Sequence, residues 1–299
     1  MKPSCERRSG VGFVLLAAGC WSILGWVGKL GFSSGVGPQT LVFSRVLVAV
    51  LLLGSGMLLL RPQQLRFRAA DLKMIVPIGA VVAINYSTYY QSVLHLGVAV
   101  SIAVFYVFPA MTAVAAWLFL GERVGKKTVV ALMVAVGGCV FVSGLVGVDV
   151  QISAIGVLFA LVSAASYAGY AVLVRRVVQE HTPSWVLFYS LVFALPGLAI
   201  ATAVVGEPLL PRLGEGWLYV VILAVIPTLA GYGLYAHGLQ RLPAARAAIL
   251  ATTEPVLATV WAVVFLAERP SGWQVVGFAL ILASAWLASR EKRREPGRV

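Results

Sequence analysis

The feature that most constrains the fold is a succession of ten apolar stretches, each about 20 residues long and joined by short connections. A helix of about 20 apolar residues crosses the roughly 30 Å hydrocarbon core of a bilayer. Charged residues make up 11% of the chain and the mean hydropathy is +0.94, whereas soluble domains carry about 25% charged residues. We therefore predict an all-α polytopic membrane protein. Its ten transmembrane helices, numbered in chain order, are expected at 11–30, 39–60, 73–94, 98–120, 128–147, 153–174, 185–205, 217–239, 244–266 and 272–289.

The chain also repeats itself at an offset of 146 residues, about half its length. Residues 89–123 align without a gap on residues 235–269, matching tyrosine, leucine, proline and Glu-Arg positions. A period this long indicates two duplicated halves rather than a solenoid of short units. We expect the repeats at residues 1–148 and 149–299, with five helices in each. Because five is odd, the second half must enter the membrane from the opposite side, which predicts the inverted repeat typical of transporters.

The net charge of +12 is explained by topology. With the N-terminus inside, 19 Lys and Arg residues fall in cytoplasmic segments, and Lys29, Arg212 and Arg269 fall outside. Such a bias sets membrane orientation. We predict a bacterial inner (plasma) membrane protein with both termini cytoplasmic, and no nucleic-acid partner. The first stretch follows a basic tail but has no A-x-A-like cleavage site, so it is kept as a spanning helix.

Three segments then resemble a known family: Pro109-AMTAVAAWLFLG-Glu122, Glu254-Pro255-VLATVWAVVFLA-Glu268 and Pro38-QTLVFS-Arg45. Together they are similar to the EamA-type drug/metabolite transporter superfamily over essentially the whole chain. The resemblance implies two inverted five-helix repeats around a central cavity between helices 1, 3, 4, 6, 8 and 9, exposed alternately to each side. One departure is Ser190, which stands near the equivalent of Arg45 and argues against a symmetric role for that arginine.

Glu254 is the most informative single residue, since it lies near the middle of predicted helix 9. A carboxylate at that depth must face protein or water. Pro255 lacks an N–H group and is expected to free a backbone carbonyl near Ala251. We interpret Glu254 as a substrate-cation or proton site. The alternative is a structural carboxylate bonded to a neighbouring helix. The first repeat has Phe108 at this register, so the acid is not needed to form the repeat.

An aromatic pair occurs in both halves, Tyr86 with Tyr89 and Tyr232 with Tyr235, each on one helix face. We expect them to form two layers, one on either side of a central site. Interfacial aromatic belts or helix packing are the alternatives. Neighbouring polar and aromatic residues, including those on helices 1 and 6, complete the predicted substrate-binding set: Glu254, Tyr86, Tyr89, Asn85, Tyr232, Tyr235, His237, Trp21, Ser22, Tyr167 and Phe108.

Two further charged residues are expected to be mainly structural. We expect Arg45 to pair with backbone carbonyls or a group at the outer helix end, with substrate recognition as the alternative, and Glu122 to anchor the end of a helix. The run from Gly121 to Thr128 lacks the spacing of a phosphate-binding loop. The histidines are scattered, so no metal, cofactor or catalytic residue is predicted.

The sequence thus predicts a non-enzymatic permease for a small metabolite, an amino acid or related amphiphile, working as an exporter by alternating access. Coupling, if present, would be to protons or a counter-substrate. A multidrug exporter or lipid-linked flippase on the same scaffold is the main alternative, and a laterally open groove or a much larger apolar cavity would favour it. Two further functions are less favoured: a passive channel, and an intramembrane enzyme, which would need clustered His, Asp or Glu.

Overall fold

The structure is a computed structural model of the chain, and it describes residues 3–122, 124–143, 152–212, 214, 216–266 and 270–290. Within these ranges the chain forms helices and connections, with no strand. The first half contains α1 (Pro3–Trp21), α2 (Leu24–Ser33), α3 (Pro38–Leu60), α4 (Leu72–Phe105), α5 (Phe108–Leu120) and α6 (Lys126–Val142). The second half contains α7 (Ala154–Val177), α8 (Pro183–Val205), α9 (Gly216–Leu223), a π-helical segment (Ala224–Gly231), α10 (Tyr232–Arg241), α11 (Ala244–Ala251), α12 (Glu254–Leu266) and α13 (Gly272–Arg290).

Among the described residues, nine spans are long and apolar enough to cross a membrane. They correspond to all of the predicted transmembrane helices except the one at 128–147. That stretch holds α6, which has 17 residues, and the residues that follow at 144–151 lie outside the described ranges. The chain is therefore an all-helical multi-pass membrane protein.

Predicted helices are interrupted at three points, two of which are equivalent in the repeat. At the third, predicted helix 1 ends at Trp21 and resumes at Leu24. Helices 3 and 4 were expected at 73–94 and 98–120, and the non-helical Gly97 (φ 75°) does separate two spans, Ala69–Gly97 and Val100–Leu120. The second span breaks again, however, since α4 ends at Phe105 and α5 begins at Phe108. Predicted helix 9 was expected to be continuous, but it ends at Ala251 and resumes at Glu254. Hydropathy cannot detect such breaks, because the residues around them are as apolar as the helices themselves.

The two halves contact each other through α3 and α8 in a reciprocal way. At the start of α3, the backbone N–H and hydroxyl of Thr40 donate to the Glu207 carboxylate, 2.9 and 3.1 Å away. At the start of α8, the Ser184 hydroxyl donates to the Gln64 side chain over 3.0 Å, and the Tyr189 hydroxyl donates to the Leu65 carbonyl over 2.9 Å. The connection after each helix thus secures the beginning of the other.

Small residues allow the closest helix contacts. At the crossing of α6 and α13, a Cβ on Gly277 would lie 2.7 Å from the backbone oxygen of Gly138. Between α1 and α10, a Cβ on Gly238 would clash with the side chain of Val14. Helices in a bilayer associate through such close packing, since burial of apolar surface gives little advantage over lipid.

Candidate functional site

Aromatic rings from both halves meet in one continuous cluster at the centre of the bundle. We call it the central aromatic cluster, and its members are Trp21, Tyr86, Tyr89, Phe105, Tyr106, Phe108, Tyr167, Tyr170, Tyr232 and Tyr235. Helices α1, α4, α5, α7 and α10 supply nine of these rings, and Tyr106 lies in the break after α4. Ring centroids lie 4.6 to 6.2 Å apart, the range of favourable aromatic contacts.

The two tyrosine pairs do not form the separate layers expected from sequence. Tyr86 contacts Tyr232, its repeat equivalent, at 5.9 Å. Trp21 of the first half likewise contacts Tyr167 of the second half, at 6.2 Å. Rings from the two halves therefore pack on each other, and most of them are buried. In this conformation they fill the centre of the bundle rather than line an open cavity.

Glu254 lies beside this cluster, at the first residue of α12. Thr252 and Thr253 form the break before it, and both are buried, whereas Glu254 keeps part of its surface accessible. The Tyr106 hydroxyl, from the equivalent break in the first half, faces the Glu254 carboxylate and can donate a hydrogen bond to it. The free N–H groups at the start of α12 also favour a negative charge there.

The break changes the role of Pro255. We expected a proline inside a helix, opening the carbonyl of Ala251. Instead Pro255 occupies the second position of α12, where a missing N–H removes no helical hydrogen bond. Glu254 is therefore positioned by a helix start.

Trp21 is fixed at the centre of the cluster by the π-helical segment. Its indole Nε1 donates to the carbonyl of Pro227 over 3.1 Å. Gly231 makes room for the ring, since a Cβ there would lie 2.6 Å from Nε1 of Trp21.

Three predicted site residues are engaged elsewhere. The Asn85 amide donates to the backbone carbonyl and hydroxyl of Ser163, 2.9 and 3.0 Å away, and so joins α4 to α7. The Ser22 hydroxyl accepts a hydrogen bond from Trp261 over 2.8 Å. His237 packs edge-on against Phe13 at 5.5 Å. No pattern in the sequence signals these contacts, because they depend on how the helices are rotated.

Arg45 does not make the pairing expected from sequence. It is buried on α3, and its guanidinium lies over the Tyr86 ring, 4.7 Å from the centroid. Its Nε and Nη1 atoms have no hydrogen-bond partner among the described residues.

Glu122 forms a polar contact that ties four helix ends together. Its carboxylate lies 3.4 Å from Nε of Arg175 and accepts the backbone N–H of Ala244 over 3.0 Å. Arg175 also donates to the carbonyl of Leu239 over 2.7 Å. Burial raises the pKa of Glu122 above its ordinary value, while the Arg175 charge and backbone N–H groups act against that shift. Glu122 is an end anchor, as expected. Its sequence neighbour Arg123 and its repeat equivalent Glu268 lie outside the described residues.

Three cluster members were missed from sequence: Phe105, Tyr106 and Tyr170. A usable signal existed for Tyr106. It lies two residues before Phe108, the repeat equivalent of Glu254. Tyr106 therefore falls in the first-half break that corresponds to the break before Glu254. An inverted repeat brings equivalent segments close to its axis, which would have predicted the approach of Tyr106 to Glu254.

Comparison with known proteins agrees with this architecture. The profile of the EamA-like transporter family matches residues 8–144 and again residues 154–290. An uncharacterized transporter of Archaeoglobus fulgidus is 28% identical over 292 residues, covering 96% of this chain and 98% of that protein. The threonine/homoserine exporter RhtA of Escherichia coli K12 is 29% identical over 259 residues, covering 83% of each.

A solved crystal structure shares the fold, with a TM-score of 0.80 and 22% identity over 94% of this chain and 96% of that one. The family profile matches most of the chain in two successive segments. The protein is therefore a multi-pass membrane transporter that belongs to the EamA-like transporter family.

Proposed function

We propose that this transporter exports a small metabolite, an amino acid or related amphiphile, across a bacterial inner membrane by alternating access. The observation that carries the proposal is the central aromatic cluster, built from both halves with the Glu254 carboxylate beside it. Aromatic walls suit the apolar part of an amphiphile, and an acid inside a membrane protein suits a cation or proton. The name of the Escherichia coli relative, a threonine/homoserine exporter, supports this substrate class.

The proposed architecture is ten transmembrane helices in two inverted repeats, residues 1–148 and 149–299, with both termini cytoplasmic. The contact of Tyr86 with its repeat equivalent Tyr232 supports it, because a twofold axis brings equivalent residues together. The reciprocal contacts of α3 and α8 support it as well.

Alternating access requires the closed aromatic cluster to open to one side of the membrane and then to the other. Its rings are packed together in this conformation, so a substrate must enter through rearrangement of the helices that carry them. The Glu122–Arg175 contact holds the ends of α5, α7 and α10 together at one end of the bundle. We propose that this contact is broken when the transporter opens at that end.

A lipid flippase remains the second candidate, because an apolar crevice opens laterally between α5 and α7. Its volume is about 410 Å³. The lining is entirely apolar: Ala110, Met111, Val114, Ala115, Leu118, Phe119, Ala165 and Ala168. It suits an acyl chain, but it offers no side-chain donor or acceptor for a polar headgroup, so we favour the metabolite exporter.

Counterflow in proteoliposomes tests the proposal. Full-length protein is reconstituted, the vesicles are loaded with unlabelled threonine, homoserine or another amino acid from a panel, and uptake of the labelled compound is measured at two pH values. Saturable counterflow of at least one metabolite is expected. If no solute moves while a fluorescent lipid crosses the bilayer, the flippase replaces the metabolite exporter. Non-saturable flux without counterflow would indicate a channel.

A further inference from the structure

Arg45 is a buried cation, and no described residue provides a negative charge to balance it. Its side chain is 4% exposed, and no described carboxylate lies within 4.0 Å of it. A guanidinium held away from water is strongly destabilising unless a charged or hydrogen-bonding partner compensates it. The ring of Tyr86 compensates one face through a cation–π contact at 4.7 Å. The Nε and Nη1 donors of the guanidinium have no hydrogen-bond partner among the described residues.

Two further polar atoms on α3 and α4 are also unpaired. The hydroxyl of Ser87 and the side-chain oxygen of Gln39 are buried without a hydrogen-bond partner among the described residues. Gln39 and Ser87 are neighbours across α3 and α4, since the Gln39 amide donates to the Ser87 carbonyl over 3.4 Å. Native proteins leave few buried polar atoms unpaired, and such atoms call for an explanation. The unpaired atoms at the contact of α3 and α4 can therefore bond to a ligand or to water.

The fold does not need a cation at this register. Helices α3 and α8 both begin at a proline and have 23 residues each, and Ser190 holds in α8 the position that Arg45 holds in α3. Ser190 is buried and bonds to its own helix, with its hydroxyl donating to the Leu187 carbonyl over 2.9 Å. The equivalent helix thus forms with a small neutral residue.

We propose that Arg45 binds the carboxylate of the transported metabolite. A carboxylate pairs with a guanidinium through charge-assisted hydrogen bonds, and the Nε and Nη1 atoms of Arg45, which donate from different edges of the group, both lack a partner among the described residues. Tyr86 holds the guanidinium from one face and also belongs to the central aromatic cluster. A bound carboxylate would therefore lie next to the aromatic walls. Arg45 lies two turns into α3, about 10 Å along the helix from its start, too deep and too covered for a lipid phosphate at the membrane surface.

This inference rests on the proposed export function and narrows its substrate class to carboxylates. Glu254 remains a separate site for a cation or proton. No described carboxylate pairs with Arg45, so its charge is left for a ligand to compensate once the bundle opens.

A binding assay that is independent of transport tests it. Purified full-length protein in nanodiscs is titrated with each amino acid of the panel and with the matched amino acid amide, and binding is followed by thermal shift. The wild type should bind at least one acid about 10- to 100-fold more tightly than its amide. Arg45→Gln should abolish that preference, Arg45→Lys should weaken it, and Arg61→Gln, at an exposed arginine just beyond α3, should retain it. Arg45→Gln should also melt at or above the wild-type temperature, because it removes an uncompensated buried charge.

Three results would overturn the carboxylate site: no response of the wild type to any acid, the same response to sodium chloride alone, or an acid preference that survives in Arg45→Gln. If Arg45→Gln fails to fold, Arg45→Lys is the deciding variant. An undiminished preference of Arg45→Lys for the acid over its amide rejects the proposal. Counterflow of neutral amides as fast as acids would reject the carboxylate site and leave the export function standing. Absence of any counterflow would reject the export function, while the binding assay still decides on Arg45.

Discussion

The two halves of the molecule share one helix break but differ in their charges and in the π-helical segment, whose equivalent stretch in the first half lies within α4. Both break a helix at the same register, after Phe105 and after Ala251. Some cluster positions are aromatic in both halves, as in Tyr86 with Tyr232 and Tyr89 with Tyr235. Two of the positions that differ carry a charge in one half only: the second half has Glu254 where the first has Phe108, and the first has Arg45 where the second has Ser190. The shared features are those that build the bundle, and the differing ones are those that can recognise a ligand.

The largest expected effect comes from removing the acid that only the second half has at this register. Glu254→Gln should lower transport at least 100-fold (roughly 3 kcal/mol of lost stabilisation) and leave the amount of folded protein unchanged. The pH dependence of transport should disappear in this variant, because the titratable carboxyl group has been removed. Initial counterflow rates across a pH series measure both effects.

The matched control is Phe108→Leu at the equivalent register of the first half, where we expect less than a tenfold loss of transport. Normal transport by Glu254→Gln, with unchanged pH dependence, would reject the proton or cation role. Loss of folded protein in Glu254→Gln would favour a structural carboxylate.

Gly231→Ala tests whether the position of Trp21 in the cluster matters. A Cβ at residue 231 would lie 2.6 Å from the indole nitrogen, so the ring must leave the Pro227 carbonyl. We expect transport to fall about tenfold and stability to fall by about 1–3 kcal/mol. Counterflow and melting temperature measure the two effects. Gly12→Ala is the control, since nothing lies within 4 Å of a Cβ there, and equal behaviour of the two variants would contradict the prediction.

Asn85→Ala separates a structural residue from a binding residue. Because Asn85 bonds to Ser163 between α4 and α7, its loss should cost about 1–2 kcal/mol and change the apparent substrate KM by less than about twofold. Thermal melting and concentration-dependent counterflow distinguish the two. A large rise in KM with unchanged stability would instead assign Asn85 to substrate binding.

The smallest effect concerns the Glu122–Arg175 contact. Burial raises the pKa of Glu122 above its ordinary 4.5, so the folded state holds this proton more tightly than the unfolded state does. Its contribution to stability is therefore full below pH 4.5 and is lost as the pH rises through the raised pKa. Arg175→Met should make stability fall more steeply with rising pH, since Arg175 favours the charged form of Glu122. Glu122→Gln should remove this pH dependence of stability. Melting temperatures between about pH 4 and pH 7 should shift by a few degrees; equal slopes in all three proteins would contradict this.

Much of the architecture was predictable because hydropathy and repetition are local properties. The apolar stretches predicted nine spans that the described residues contain, and the motifs around Glu122 and Glu254 indicated the family that the profile comparison shows. The helix breaks at residues 106–107 and 252–253 were not predictable from hydropathy, because broken and continuous apolar segments have the same composition.

The candidate site was predictable only in part. Tyrosine spacing indicated which residues share a helix face, and eight of the eleven predicted residues lie in or beside the central aromatic cluster. Asn85, Ser22 and His237 have the same polar character but bond or pack elsewhere. Their roles depend on the rotation of each helix about its axis, which neighbouring helices determine.

The sequence alone thus determined that the chain crosses a membrane repeatedly, that it is duplicated, and that the second half carries an unmatched acid. These features follow from comparing each segment with the bilayer or with its own repeat. Tertiary structure alone decided that the two sets of rings join into one cluster, that Tyr106 faces Glu254, and that Arg45 is buried without a partner among the described residues. The physical reason is that a bilayer selects segments by their apolar length, whereas side-chain partners are selected by packing between helices distant in sequence.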